Sequence, residues 1–107
     1  MIRAGFLMVA TLVAAPAAAQ DFEAAETARN MGRLIGSEAY CGLTYDQAAI
    51  DAWVKKAMDP GDLKFTGHVE MGILGESYDQ EDRSDSAKTA HCAAVRRSAT
   101  HLGLIAE

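Results

Sequence analysis

The chain has 107 residues, 50% of them apolar, and sets ten Lys and Arg against fifteen Asp and Glu for a formal charge of −5. That length supports one small core and no second domain. The acidic balance argues against charge-driven binding to nucleic acid or to anionic membrane surfaces, leaving only a local basic patch such as Arg96 and Arg97 to dock onto something acidic.

Met1 and Arg3 lead into an apolar run from Ala4 to Ala15, and Pro16 precedes Ala17, Ala18 and Ala19. A positive end, an apolar run shorter than a bilayer span and an A-x-A site predict a secretory signal peptide over residues 1–19, cleaved after Ala19. Losing Arg3 with this leader takes the formal charge from −5 to −6 in a mature chain, Gln20 to Glu107, read as a single domain. A lone arginine before the run makes no twin-arginine signal, and no cysteine follows the cleavage site to carry a lipid. The expected location is periplasmic or secreted, with no membrane insertion after cleavage.

Phe22, Ala25, Ala28, Met31, Ile35 and Ala39 recur at steps of three and four, so Phe22 to Ala39 is a predicted helix with Glu23, Glu26, Arg29, Arg33 and Glu38 outward. Gly32 and Gly36 inside it are read as incidental to packing. The chain turns at Cys41-Gly42. Thr44 and Gln47 form a T-x-x-Q capping box that opens a helix from Tyr45 to Met58. Its stripe is Ala49, Ile50, Trp53, Val54 and Ala57; Trp53 is the expected core anchor, with an exposed contact aromatic as the alternative. Asp59-Pro60-Gly61 ends this helix and Asp62 offers the next cap.

Leu63 to Tyr78 is predicted helical although Gly67, Gly72 and Gly75 interrupt it, because Leu63, Phe65, Val69 and Ile73 share a helical face while a strand would alternate poorly. The acidic stretch Glu76 to Asp85, with Asp79, Glu81 and Asp82, has no apolar pattern from Asp79 on and reads as a solvated loop. Ser84, Asp85 and Ser86 open a fourth segment with the stripe Ala87, Ala90, Ala94, Val95 and Leu102, stopping at Gly103.

Cys41 and Cys92 are the only cysteines and admit one intramolecular pairing, the default in an oxidising compartment. Closing that loop stabilises a small domain by about 4 kcal/mol. The predicted fold is all-α, a bundle of three to four short helices stapled by Cys41–Cys92, as a monomer or homodimer.

Candidate chemistry is sparse. His68 and Met71, three apart, offer an imidazole and a thioether suited to copper, but no third ligand lies nearby, and His91 and His101 fall on different faces. The acidic stretch lacks the alternating oxygens and glycine of a calcium loop. His91 beside Cys92 points away from it on a helix, and no serine sits in a G-x-S-x-G elbow. The expectation is no metal, no cofactor and no enzyme activity.

The string CGLTYDQAAIDAWV from Cys41, followed by SAKTAHCAAVRR around Cys92, resembles short exported two-cysteine helical proteins of proteobacteria. More distantly the architecture is similar to the HdeA-type acid-activated periplasmic chaperones. The resemblance implies a small disulfide-stapled helical fold more than a function. Carboxylates titrate near 4, so acid would leave a self-repelling cationic chain and free the stripes with Ile50, Trp53, Val54, Val69 and Ile73. The function expected is thus a non-enzymatic binding protein, in one version an acid- or stress-related chaperone. The alternative is an inhibitor or accessory subunit of an envelope enzyme or secretion complex, touching its partner through Trp53, Asp79, Glu81 and Asp82.

Overall fold

A computed structural model describes Gly5 and residues 17–106. Apart from Gly5, the apolar run of the expected leader lies outside the described residues. Four helices follow in order: α1 (Ala17–Gly36), α2 (Gln47–Ala57), α3 (Phe65–Asp82) and α4 (Asp85–His101), with no strand among the described residues. The all-helical class and the Cys41–Cys92 disulfide are as predicted, the Cα atoms of the pair standing 5.3 Å apart.

The main packing is α1 against α3, and Gly32 and Gly36 are not incidental to it. A Cβ on Gly32 would land on the Val69 carbonyl oxygen and 2.9 Å from Gly72 Cα; one on Gly72 would land on the Arg29 carbonyl. The two backbones touch because neither residue has a side chain at the crossing. A Cβ on Gly36 would meet the Glu76 side chain at 3.3 Å. One core cluster forms around this contact from Ala28, Met31 and Phe65, flanked by Val54, Ala57, Met58 and Val69. A second is built from Tyr45, Ala99 and Leu104 with Leu34, Leu43, Ala49, Ile50 and Ile105. Trp53 borders both clusters, which makes it the anchor joining them.

Several boundaries move, each for a local reason. The α1 helix stops at Gly36, and the turns that follow are tied back when Tyr45 N–H donates to Glu38 Oε2 and Tyr45 Oη donates to the Leu34 carbonyl at 2.8 Å. Asp46 N–H donates to the Leu104 carbonyl at 2.8 Å. With residues 45 and 46 held by these distant partners, α2 begins only at Gln47. Its cap is Asp46, whose Oδ1 accepts from Ala48 and Ala49 N–H, and not the predicted Thr44 box.

The predicted loop from Asp79 is corrected too, because α3 runs on to Asp82. Its last turns are pinned to α1 by the Arg33–Asp79 ion pair at 2.9 Å and by Gln80 Nε2 donating to the Gly36 carbonyl at 2.9 Å. Leu63, expected on the buried face, precedes the helix and is 95% exposed.

Ser84 caps α4 by accepting from Ala87 N–H at 3.2 Å, and Gly103 ends it with φ +75°, both as predicted. The stripe is corrected: Ala87, Ala90, Ala94 and Leu102 are exposed, while Val95 and Ala99 are buried below a half-buried His91. With Cys92 held in the disulfide, the 91–95–99 row of α4 faces inward.

Candidate functional site

Two features stand out: a buried ionic centre and an apolar outer face on α3. The centre forms where the end of α1, the last turns of α3 and the first turns of α4 meet. Glu76, on the face of α3 that meets α1, is fully buried. Arg83, just past the end of α3, folds back so that Nη1 donates to Glu76 Oε1 at 2.6 Å and Nη2 to Oε2 at 3.1 Å. His91 Nε2 lies 3.0 Å from Oε1 and 2.9 Å from Ser37 Oγ, and Gln80 Nε2 donates to Oε1 at 3.4 Å. Tyr40 roofs the centre, with the Arg83 guanidinium 5.6 Å and Lys88 Nζ 4.4 Å from its ring centre.

The protons in this centre can be assigned. Ser37 Oγ donates its one hydrogen to the Arg33 carbonyl at 2.8 Å, and an ionised Glu76 only accepts. His91 Nε2 therefore carries a hydrogen, shared between the serine and carboxylate oxygens. Burial raises the Glu76 carboxyl, but the Arg83 hydrogen bonds, the charges of His91 and Arg83, and Gln80 outweigh it and hold the group below its ordinary range. The Glu76 hydrogen bonds in turn hold the Arg83 guanidinium more firmly protonated than usual.

Ser37, His91 and Glu76 do not make a hydrolytic relay. Such a relay needs the serine on one imidazole nitrogen and the carboxylate on the other, whereas here both oxygens face Nε2, and Ser37 is fully buried. What this geometry does is lock three elements together beside the disulfide, since Tyr40 precedes Cys41 and His91 precedes Cys92.

The outer face of α3 carries Met71, Leu74 and Tyr78, 60%, 56% and 65% exposed. Their spacing of three and four makes one stripe opposite Phe65, Val69, Gly72 and Glu76. Glu70 and Glu81 border one side and Asp82 the other, all exposed and outside the ion pairs found among the described residues. From Phe65 to Asp82 there is no Lys or Arg.

Of the residues that sequence singled out, Glu81 and Asp82 lie on this face, Asp79 is engaged by Arg33, and Trp53 is half-buried on the far side of the fold. Trp53 does border a shallow hollow of about 420 Å³ with Lys56, His101 and Leu102. Ile50, Val54 and Val69 pack onto the core clusters, and Ile73, 36% exposed, lies on the flank of α3 whose backbone borders Gly32 and Gly36 of α1. His68 is half-buried and Met71 is exposed. Among the described residues no three His, Cys, Asp or Glu side chains converge as a metal would require. Sequence reasoning missed Met71, Leu74 and Tyr78 as a surface stripe although their 71–74–78 spacing was legible, and missed the centre because its members are spread from residue 37 to 91.

These features define a four-helix, single-disulfide chain with a buried ionic lock and an unpartnered apolar face, and no helix among the described residues is long and apolar enough to cross a membrane. Comparison with family models, curated proteins and solved structures finds no match to the chain.

Proposed function

We propose that the chain is an exported, non-catalytic binding protein that engages other polypeptides through the outer face of α3. The observation that carries this reading is the Met71, Leu74 and Tyr78 stripe, three large apolar side chains held in water on one helix face. Burying such a row against a partner recovers apolar surface that folding leaves in water. The disulfide is compatible with an extracytoplasmic setting.

A second version, the acid-conditional chaperone, is favoured by Glu76. Its lowered pKa makes its contribution to stability full above its ordinary value and lost as pH falls through the folded value. Acid then loosens the link of α3 and α4 to the end of α1 and adds the half-buried stripes to the exposed one.

Light scattering of an aggregating client separates the versions. Oxidised protein that suppresses aggregation at about pH 3 and not at neutral pH supports the chaperone. No suppression at either pH, with specific crosslinking to one envelope protein through α3, supports the dedicated inhibitor or accessory subunit. Failure of both removes the binding reading.

A further inference from the structure

We propose that the partner segment taken by the outer face of α3 is a basic amphipathic helix, an inference that rests on the reading of that face as a contact surface. The stripe of Met71, Leu74 and Tyr78 repeats at three and four residues, which matches the apolar row of a second helix laid along it. Two methionine- and leucine-type side chains beside one tyrosine form an adaptable apolar surface with a polar tip.

Charge decides which helix fits. Glu70 and Glu81 flank the stripe on one side and Asp82 on the other, none of them in an ion pair among the described residues, while Glu76 and Asp79 of the same helix are already taken by Arg83 and Arg33. With no Lys or Arg anywhere in α3, an acidic partner would meet only repulsion along both borders. Glu81 and Asp82 also sit in the last turn, against the negative end of the helix dipole, where they weaken the helix unless a cation comes close. A helix with Lys or Arg on both sides of an apolar row meets all three free carboxylates and relieves that end.

A second copy of this chain fits less well. Its own α3 would bring like charges together across a two-fold axis.

The test uses oxidised protein and two synthetic helical peptides, one of leucine and lysine and one of leucine and glutamate with the same apolar row. Binding is read by calorimetry and by chemical-shift changes at Met71, Leu74 and Tyr78. The expected result is binding of the lysine peptide at least about tenfold tighter than the glutamate peptide, weakening with added salt.

The combined variant E70Q/E81Q/D82N should bring the two peptides to within about threefold of each other, and M71S/L74S should abolish binding of both, each with an unchanged circular dichroism spectrum. Equal affinity for both peptides overturns the basic partner while leaving the contact face in place. Shift changes elsewhere, or sedimentation showing a dimer that buries the stripe, overturn the assignment of the face. Absence of binding to either peptide overturns this inference, and the binding reading itself then stands or falls on the client and crosslinking experiment.

Discussion

Arg83 grips Glu76 with both arms of its guanidinium, at 2.6 and 3.1 Å, although the carboxylate has no exposed surface and lies seven residues back along the chain. The pair closes the end of α3 onto itself. His91 and Ser37 extend the same lock to α4 and α1.

Replacing Glu76 by Gln should leave the Arg83 charge without its counter-ion and destabilise the fold by about 3 kcal/mol, a value typical of breaking a largely buried pair. The wild-type protein should lose stability as pH falls below the ordinary carboxyl value of 4.5, because the folded group releases its proton more readily than the unfolded one. Urea melts taken across this range should show a flatter dependence for E76Q. An equally steep fall in the variant would mean that other carboxylates govern acid sensitivity.

The same substitution should have opposite signs at two glycines of α1 and α3. Gly32→Ala forces its methyl into the Val69 carbonyl and should cost about 2 kcal/mol or more despite the better helix propensity. Gly67→Ala, with nothing within 4 Å of the added carbon, should stabilise by about 0.5–1 kcal/mol. Thermal melting of the two variants checks the pair, and a stable G32A would refute the backbone contact of α1 and α3.

Burial, reinforced by the negative charge of Glu38, pushes the Tyr45 hydroxyl up to about 12. The folded state therefore holds this proton more tightly than the unfolded state, and its contribution to stability is present below 10.0 and lost as pH rises from there through about 12. Tyr45→Phe should cost about 1 kcal/mol through the lost bond to the Leu34 carbonyl. It should also remove the late-titrating component of the ultraviolet absorbance; persistence of that component would assign it to another group.

Legibility varied from element to element. The opening of α4 at Ser84 and its stop at Gly103 were readable because a cap and a left-handed glycine act over a few residues of chain. The start of α2 was misplaced because Tyr45 and Asp46 are held by Glu38, Leu34 and Leu104, partners no local pattern reveals. The extension of α3 through Asp79 was invisible for a similar reason: the polar stretch is helical because Arg33 and the Gly36 carbonyl lie alongside it. For the candidate site, Glu81 and Asp82 stand out by their charge, while the Met71, Leu74 and Tyr78 row beside them goes unread, because the sequence alone does not say which side of α3 faces water.

By itself the sequence determined the helical class, since apolar residues recur at helical steps, and the one possible cysteine pairing, since only two cysteines exist. Only the tertiary structure decided which side of α3 is buried. That helix carries apolar residues all round, with Phe65, Val69, Ile73, Leu74, Tyr78 and Met71 spread over its circumference, so periodicity cannot choose a face. The choice falls to the one side where Gly72 lets the backbone of α1 approach at Gly32, and it places Glu76 in the interior and the Met71, Leu74 and Tyr78 row in water.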